Sequence, residues 1–516
     1  MSRRKEDDMS FDIKRAYEKW LEEGQPIQGD EATEKKETGR QSSEKANRKQ
    51  AASADSRERD RKSGRRDRGA DNRKGTFRGD SRSDSHGDSR SDSRGDSRSE
   101  SRGDSRRKSP ASRTGMRAVR GLPEIPKVDP ESSFPKCPVR KRCGGCSFIG
   151  LDYKWTLEYK EKYVSELLKP FVKLSGIVGM DDPYHYRNKV NAAFAHVKDG
   201  RRERNVSGIY EQGTHKVVPV KECLLEDKRA DAIIQDILKM TRDFKIKIYD
   251  EDSEYGLLRH VMVRTGHVTG QVMVVLVLAS AVLPNKNAFV EKLLEKHPEI
   301  TTIVISVNDE HTSMVLGDRE IVIYGKGYIE DKLCGNTFRI SPKSFYQVNS
   351  VQTEKLYRQA VKFANLTGRE RVIDAYCGIG TIGITAAAKA KEVIGIELSG
   401  DAVRDAVRNA RANDIRNISF YENDAGVFLM GMAEQKEMCE VIFMDPPRSG
   451  STEEFMQAAV NMRPGRIIYI SCEPTTLARD LRWLKKHGYK AREAVAYDMF
   501  PFTENVETIV LMTKQG

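Results

Sequence analysis

The sequence predicts an α/β protein in three parts: a basic, disordered arm over 1–120, a sheet-rich α+β middle domain over 121–340, and a Rossmann-like, doubly wound C-terminal domain over 341–516. Three observations carry this. After about Phe345 strand–turn–helix units recur: RVIDAYCGIGTIGITAAAKA, EVIGIELSGDAVRDAVRNARAN, VIFMDPP and RIIYISC. Strands alternating with helices build a parallel sheet whose ligands bind at the strands' carboxyl ends. Before them lie short, strand-like apolar runs, and before those the apolar content collapses.

The arm carries 33 Lys/Arg against 24 Asp/Glu, so nine of the chain's twelve net positive charges sit in its first 120 residues. Phe11 to Gly24 can form an amphipathic helix with Ile13, Tyr17, Trp20 and Leu21 on one side. From Gly79 an eight-residue repeat follows, GDSRSDSH, GDSRSDSR, GDSRSESR and GDSRR, with glycines at Gly79, Gly87, Gly95 and Gly103. Such a segment cannot bury enough apolar surface to offset chain entropy. It reads either as an arm that tracks a phosphate backbone or as a solvated tail.

Bulk properties exclude several classes. No apolar run reaches the roughly 18–20 residues of a membrane span, and MSRRKEDDMSF lacks the apolar core of a secretory signal. The eight cysteines are unevenly spaced, which favours ligand or catalytic roles over disulfides. The expectation is a cytoplasmic protein with no membrane contact and no obligate protein partner. A pI near 9.1 favours polyanions such as nucleic acid.

In the middle domain, Pro123, Pro126 and Pro130 mark an extended start, a helix is predicted around Trp155–Leu168, and strands over 188–197, 261–279 and 301–309 suggest an antiparallel sheet. CPVRKRCGGC places Cys137, Cys143 and Cys146 in a C-x5-C-x2-C set, with Cys223 downstream in VKECLLED. Four thiolates bind zinc or an iron–sulfur cluster, and spacing alone does not choose. Unliganded, exposed thiols among Lys and Arg would oxidise readily. Cys334, Cys377 and Cys439 read as structural.

In the C-terminal domain, RVIDAYCGIGTIG (371–383) sets a strand, Asp374 and a glycine turn before a helix, so the backbone at Gly378 and Gly380 can approach a ligand. Glu397 ends the next strand, where a carboxylate accepts both ribose hydroxyls of an adenosine, and Asp424 follows the third strand at the adenine edge. The turn runs GIG then Thr381, not G-x-G-x-x-G, which favours S-adenosylmethionine over a dinucleotide. Asp374 reads equally as a strand-end carboxylate. MDPPRSG (444–450) closes the fourth strand with a stiff loop bearing Asp445, of the kind that holds a flipped-out base. Cys472 ends the fifth strand in YISCEPTTLARD. A thiolate there can add to carbon 6 of a pyrimidine and make carbon 5 nucleophilic toward a sulfonium methyl. A base must then remove the proton from carbon 5, and Glu507 in DMFPFTENVETIVLM is the candidate.

Taken in order, DAYCGIG, DPPR, SCEPTTLARD and DMFP…NVE resemble the RNA uracil-5-methyltransferase family, as does SPKSFYQVN (341–349). The resemblance spans about 135–514. It implies Cys472 as nucleophile and Glu507 as base, with Gln347, Tyr376, Thr381, Glu397 and Asp445 lining S-adenosylmethionine. The cysteine pattern resembles the family's ribosomal-RNA branch, which implies a [4Fe-4S] cluster on Cys137, Cys143, Cys146 and Cys223, with RNA, 23S ribosomal RNA in particular, as substrate. YHYRNKVNAAF (184–194) also resembles a family segment. It offers Arg187, Asn188 and Lys189 to phosphate or base, with Tyr184 and Tyr186 to stack, or else a polar strand edge.

Three features depart from the family. Asn505 stands where a histidine usually precedes the final glutamate, Phe502 is unusual in its turn, and no TRAM barrel is evident in residues 1–120. The competing readings are a cytosine-5 RNA methyltransferase, which would place a cysteine in the Asp445–Arg448 loop, and an inactive RNA-binding scaffold, which would have lost Cys472 or Glu507.

Overall fold

The structure, a computed structural model, describes residues 119, 121–199, 202–211, 213–310 and 314–515. The arm expected over 1–120 lies, but for Val119, outside the described residues.

The front segment holds α1 (Arg140–Cys143), α2 (Tyr153–Leu168) and β1 (Leu174–Val178). The middle layer follows as β2 (Lys189–Asp199), β3 (Arg202–Tyr210), β4 (Val217–Pro219), α3 (Lys228–Asp243), β5 (Leu258–Thr265), β6 (Val272–Leu278), α4 (Lys286–Lys296), β7 (Ile300–Val307) and β8 (Arg319–Tyr324). A hairpin of β9 (Ile329–Leu333) and β10 (Asn336–Ile340) links it to the C-terminal layer. That layer comprises α5 (Ser350–Ala364), β11 (Arg371–Ala375), α6 (Thr381–Ala387), β12 (Glu392–Glu397), α7 (Gly400–Ala412), β13 (Ile418–Glu422), α8 (Ala425–Glu434), β14 (Val441–Met444), α9 (Glu453–Asn461), β15 (Arg466–Ser471), α10 (Pro474–Lys486), β16 (Tyr489–Tyr497) and β17 (Glu507–Lys514).

The C-terminal layer is one eight-stranded sheet in the order β1-β16-β17-β15-β14-β11-β12-β13. Its pairs are parallel except at β17, which runs antiparallel to β15 and β16. Alternate residues of each strand feed different cores. Ile373, Ile394, Ile442 and Ile467 join one, while Val372, Val393, Val441 and Ile468 join the other. Burial on both faces explains why these strands read as continuous apolar runs.

The middle layer is a seven-stranded sheet, β4-β3-β2-β5-β6-β7-β8. The antiparallel expectation fails at one pair: β6 and β7 are parallel, because α4 forms a crossover between them. The expected division at 340 also does not follow the packing. β1 pairs with β16, and α2 packs on β1 and α10, so the front of the 121–340 segment belongs to the C-terminal layer. Among the described residues no helix is long and apolar enough to cross a membrane.

Candidate active site

The carboxyl ends of β11, β12, β14 and β15 converge where the strand order reverses, the usual ligand crevice of a doubly wound sheet. The turn after β11 needs three positive φ angles, at Tyr376 (64°), Gly378 (55°) and Gly380 (84°). Gly380 is also sterically required, since a Cβ there would lie 2.8 Å from the Phe420 ring. Glu397 is held by the same turn: its Oε2 accepts the Gly378 N–H at 3.0 Å and its Oε1 the Ser399 N–H at 2.9 Å.

Asp374 is buried at the end of β11 and accepts the Gly383 N–H at 2.7 Å, which fits the structural reading of this carboxylate. Burial, with Asp445 and Glu397 nearby, pushes its pKa up to about 7. Thr381 donates to the Tyr357 hydroxyl at 3.3 Å, and Gln347 lies buried against the same tyrosine. Tyr376 packs on Phe455 at 5.2 Å between ring centroids. Asp424 is the N-cap of α8, its Oδ1 accepting the Gly426 and Val427 N–H groups, and the residue stays exposed.

The reactive groups meet one strand away. In the β15–β17 ladder Ser471 pairs with Thr508, so the next step sets Cys472 opposite Glu507. Asp445 follows directly on β14, the other neighbour of β15. Glu507 is 3% exposed, and burial with the Asp445 charge raises its pKa to about 8, against the pull of Arg448. Burial lifts Asp445 to about 7. Cys472 is pushed to about 12 by burial and then by both carboxylates, again opposed by Arg448. The site therefore pairs a protonated thiol with carboxyl groups that change charge near neutrality, a set suited to general acid–base and nucleophilic work.

Two participants were not singled out by sequence reasoning. Arg448 faces both Cys472 and Glu507, and its Nη2 donates to Asn505 Oδ1 at 3.2 Å. Asn505, standing for the family histidine, thus ties the Arg448 loop to the turn before β17. Lys160 of α2 is fully buried, and its Nζ reaches Asp498 Oδ1 at 2.6 Å, Asn505 O at 2.8 Å and Phe500 O at 3.0 Å. Its sequence signal was faint: Lys160 shares a helical face with Tyr153, Thr156, Tyr163 and Val164, all but Tyr153 fully buried.

The 184–189 segment serves the interior more than the surface. Tyr186 donates to Pro501 O at 3.3 Å, and Tyr184 stacks on Phe502 at 5.1 Å. Asn188 is buried, donating to Gln347 O at 2.9 Å and Ser350 Oγ at 3.0 Å. Arg187 and Lys189 are half-buried.

Cys137, Cys143, Cys146 and Cys223 line one cavity with Ile149, Ile209, Val220 and Leu225. All four are half-buried thiols, not the exposed ones expected of an unliganded loop. Burial raises Cys143 and Cys223, and it pushes Cys146, beside Cys143, to about 12. Among the described residues no group of three or more His, Cys, Asp or Glu side chains is set to hold a metal ion. An all-sulfur donor set around an apolar cavity fits a soft, multi-centre group in chemistry.

Comparison with known proteins gives a consistent result. Residues 152–515 match the family described as tRNA (Uracil-5-)-methyltransferase. A Bacillus cereus protein named as an uncharacterized RNA methyltransferase is 41% identical over 397 residues, covering 75% of this chain and 85% of its own length. One from Halalkalibacterium halodurans is 39% identical over 392 residues, covering 75% and 84%. Among solved structures, that of the Pyrococcus abyssi tRNA (uracil-54, C5)-methyltransferase in complex with S-adenosyl-L-homocysteine aligns with a TM-score of 0.60 and 27% identity, covering 73% of this chain and 87% of that one.

Proposed function

This chain belongs to the tRNA (uracil-5-)methyltransferase family and is an S-adenosylmethionine-dependent RNA methyltransferase, and from that premise we propose that it methylates carbon 5 of a uridine through a Cys472 adduct resolved by Glu507. The observation that carries the reading is the approach of Cys472, one residue past the end of β15, to Glu507 at the start of the neighbouring β17, beside Asp445.

Cys472 attacks carbon 6 as a thiolate, its proton passing to Asp445 and on to water, which keeps Glu507 for the later step. Arg448 offsets the charge that accumulates there. S-adenosylmethionine, when bound, supplies the electrophilic methyl group. Gln347, Tyr376, Thr381, Glu397 and Asp445 would line its site, and Glu397 would take the ribose hydroxyls. Once carbon 5 is methylated, Glu507 removes its proton, the 5,6 double bond re-forms, and the bond to Cys472 breaks, returning the thiolate.

Cys137, Cys143, Cys146 and Cys223 would hold a [4Fe-4S] cluster, supported by their shared cavity and all-sulfur chemistry. The cluster's role in this reading is to fold and dock the front segment, since methyl transfer moves no electrons. By the same resemblance the substrate is 23S ribosomal RNA. A second reading, transfer RNA as substrate, is favoured by the likeness to the Pyrococcus abyssi tRNA (uracil-54, C5)-methyltransferase.

The test is Glu507→Gln with methyl-labelled S-adenosylmethionine and ribosomal or transfer RNA side by side. The variant should methylate its RNA but trap it as a denaturation-resistant covalent complex, with release slowed about 10²–10⁴-fold. Free turnover at the wild-type rate would exclude Glu507 as the base, and the RNA that becomes labelled identifies the substrate class.

A further inference from the structure

We propose that Lys160 is a positioning residue for the base: it holds the 498–506 turn in the one conformation that delivers Glu507 to carbon 5. The inference rests on the assignment of Glu507 above.

An ammonium has three hydrogens to donate. Lys160 has three acceptors, all in this turn: Asp498 at its start, Phe500 in its middle and Asn505 two residues before Glu507. The turn is thus wrapped around a single nitrogen. Within the turn Thr503 N–H and Oγ1 donate to Phe500 O at 3.2 and 2.9 Å, and Asn349 Nδ2 donates to Met499 O at 3.0 Å, while Lys160 joins the start of the turn to its end. Phe502 has a φ of 61°, a region a bulky side chain holds only when its surroundings impose it. Those surroundings come from the same stretch of chain as Lys160. Phe148 N–H donates to Phe502 O at 3.0 Å, and the rings of Tyr153 and Tyr184 pack on Phe502 at 5.4 and 5.1 Å.

Stability alone does not call for this lysine. Lys160 and Asp498 are both 0% exposed, and a buried ion pair can usually be exchanged for apolar side chains at little or no cost. What apolar side chains cannot do is hold two backbone carbonyls, at Phe500 and Asn505, at fixed places. The same turn meets Arg448 through Asn505 Oδ1, so its position sets both the carboxylate and the cation that face Cys472. Lys160 touches neither substrate nor reacting atoms, and its effect passes through Glu507.

Mispositioning the base should separate the two halves of the reaction. The test compares wild type, Lys160→Met, and Lys160→Met combined with Asp498→Asn, which leaves no buried charge unpaired. For each, S-adenosylmethionine affinity, the rate of methyl incorporation in a single turnover, and the fraction of RNA in covalent complex are measured. The expected result is unchanged cofactor affinity, methyl incorporation within about threefold of wild type, and tenfold or greater accumulation of methylated, protein-bound RNA, with kcat reduced and KM for RNA unchanged. Wild-type release in the double variant would overturn the proposal. So would loss of cofactor affinity together with folding in both variants, since Lys160 would then serve the fold alone. If Glu507→Gln itself traps no adduct, the assignment of the base has failed, and Lys160 is not the cause.

Discussion

At the scale of single residues, the site is governed by how burial and neighbouring charge place proton affinities. Glu507, raised to about 8, is a base only when ionised, so release of product should rise with pH through about 8 and level off above it. Arg448 holds that value down, and Arg448→Met should move the rising limb to higher pH. The same shift has a consequence for stability. Between the unfolded value near 4.5 and the folded value near 8 the folded protein binds more protons at Glu507, so stability falls as pH rises through this window. Glu507→Gln should therefore melt at a higher temperature than wild type at pH 9 and at nearly the same temperature at pH 4. Equal melting at both would show that Glu507 carries no ionisation penalty in the fold. Cys472 and Glu507 could be picked out from the chain because each ends or begins an apolar strand. Arg448 could not, because its partners, Asn505 and Cys472, are distant in sequence and meet only across three strands.

At the scale of elements, the cofactor turn joins β11 to α6 through backbone angles that few residues tolerate. Gly380→Ala would set a Cβ at a φ of 84° against the Phe420 ring, and it should cost about 1–3 kcal/mol of stability and weaken S-adenosylmethionine binding. Calorimetry of the variant checks both. The strands of this layer were legible because burial on both faces makes them continuous apolar runs between glycine turns. β1 was not legible as part of it. Leu174–Val178 is short and half-exposed, and its place beside β16, some three hundred residues later, is set by the edge of the sheet and not by any local pattern. The parallel pair of β6 and β7 was hidden for a related reason: β6 is apolar throughout and β7 is largely buried, so neither pattern shows direction, and only the intervening α4 reverses it.

At the scale of the whole molecule, the front segment connects two parts of the function. Three of the four cysteines, Cys137, Cys143 and Cys146, stand just ahead of α2 in the chain, and α2 carries the lysine that grips the catalytic turn. Protein prepared without oxygen should contain iron and acid-labile sulfide in equal amounts, and Cys146→Ser should lose both while gaining proteolytic susceptibility in residues 137–170. Zinc in place of iron would leave the clamp intact but change the assignment of the metal centre. The central claim is thiolate catalysis at carbon 5, and tritium release from RNA labelled at carbon 5 of uridine tests it most directly. The account predicts release that requires S-adenosylmethionine, occurs with wild type and disappears with Cys472→Ser. Undiminished release by Cys472→Ser, or no release by wild type from either ribosomal or transfer RNA, would contradict it.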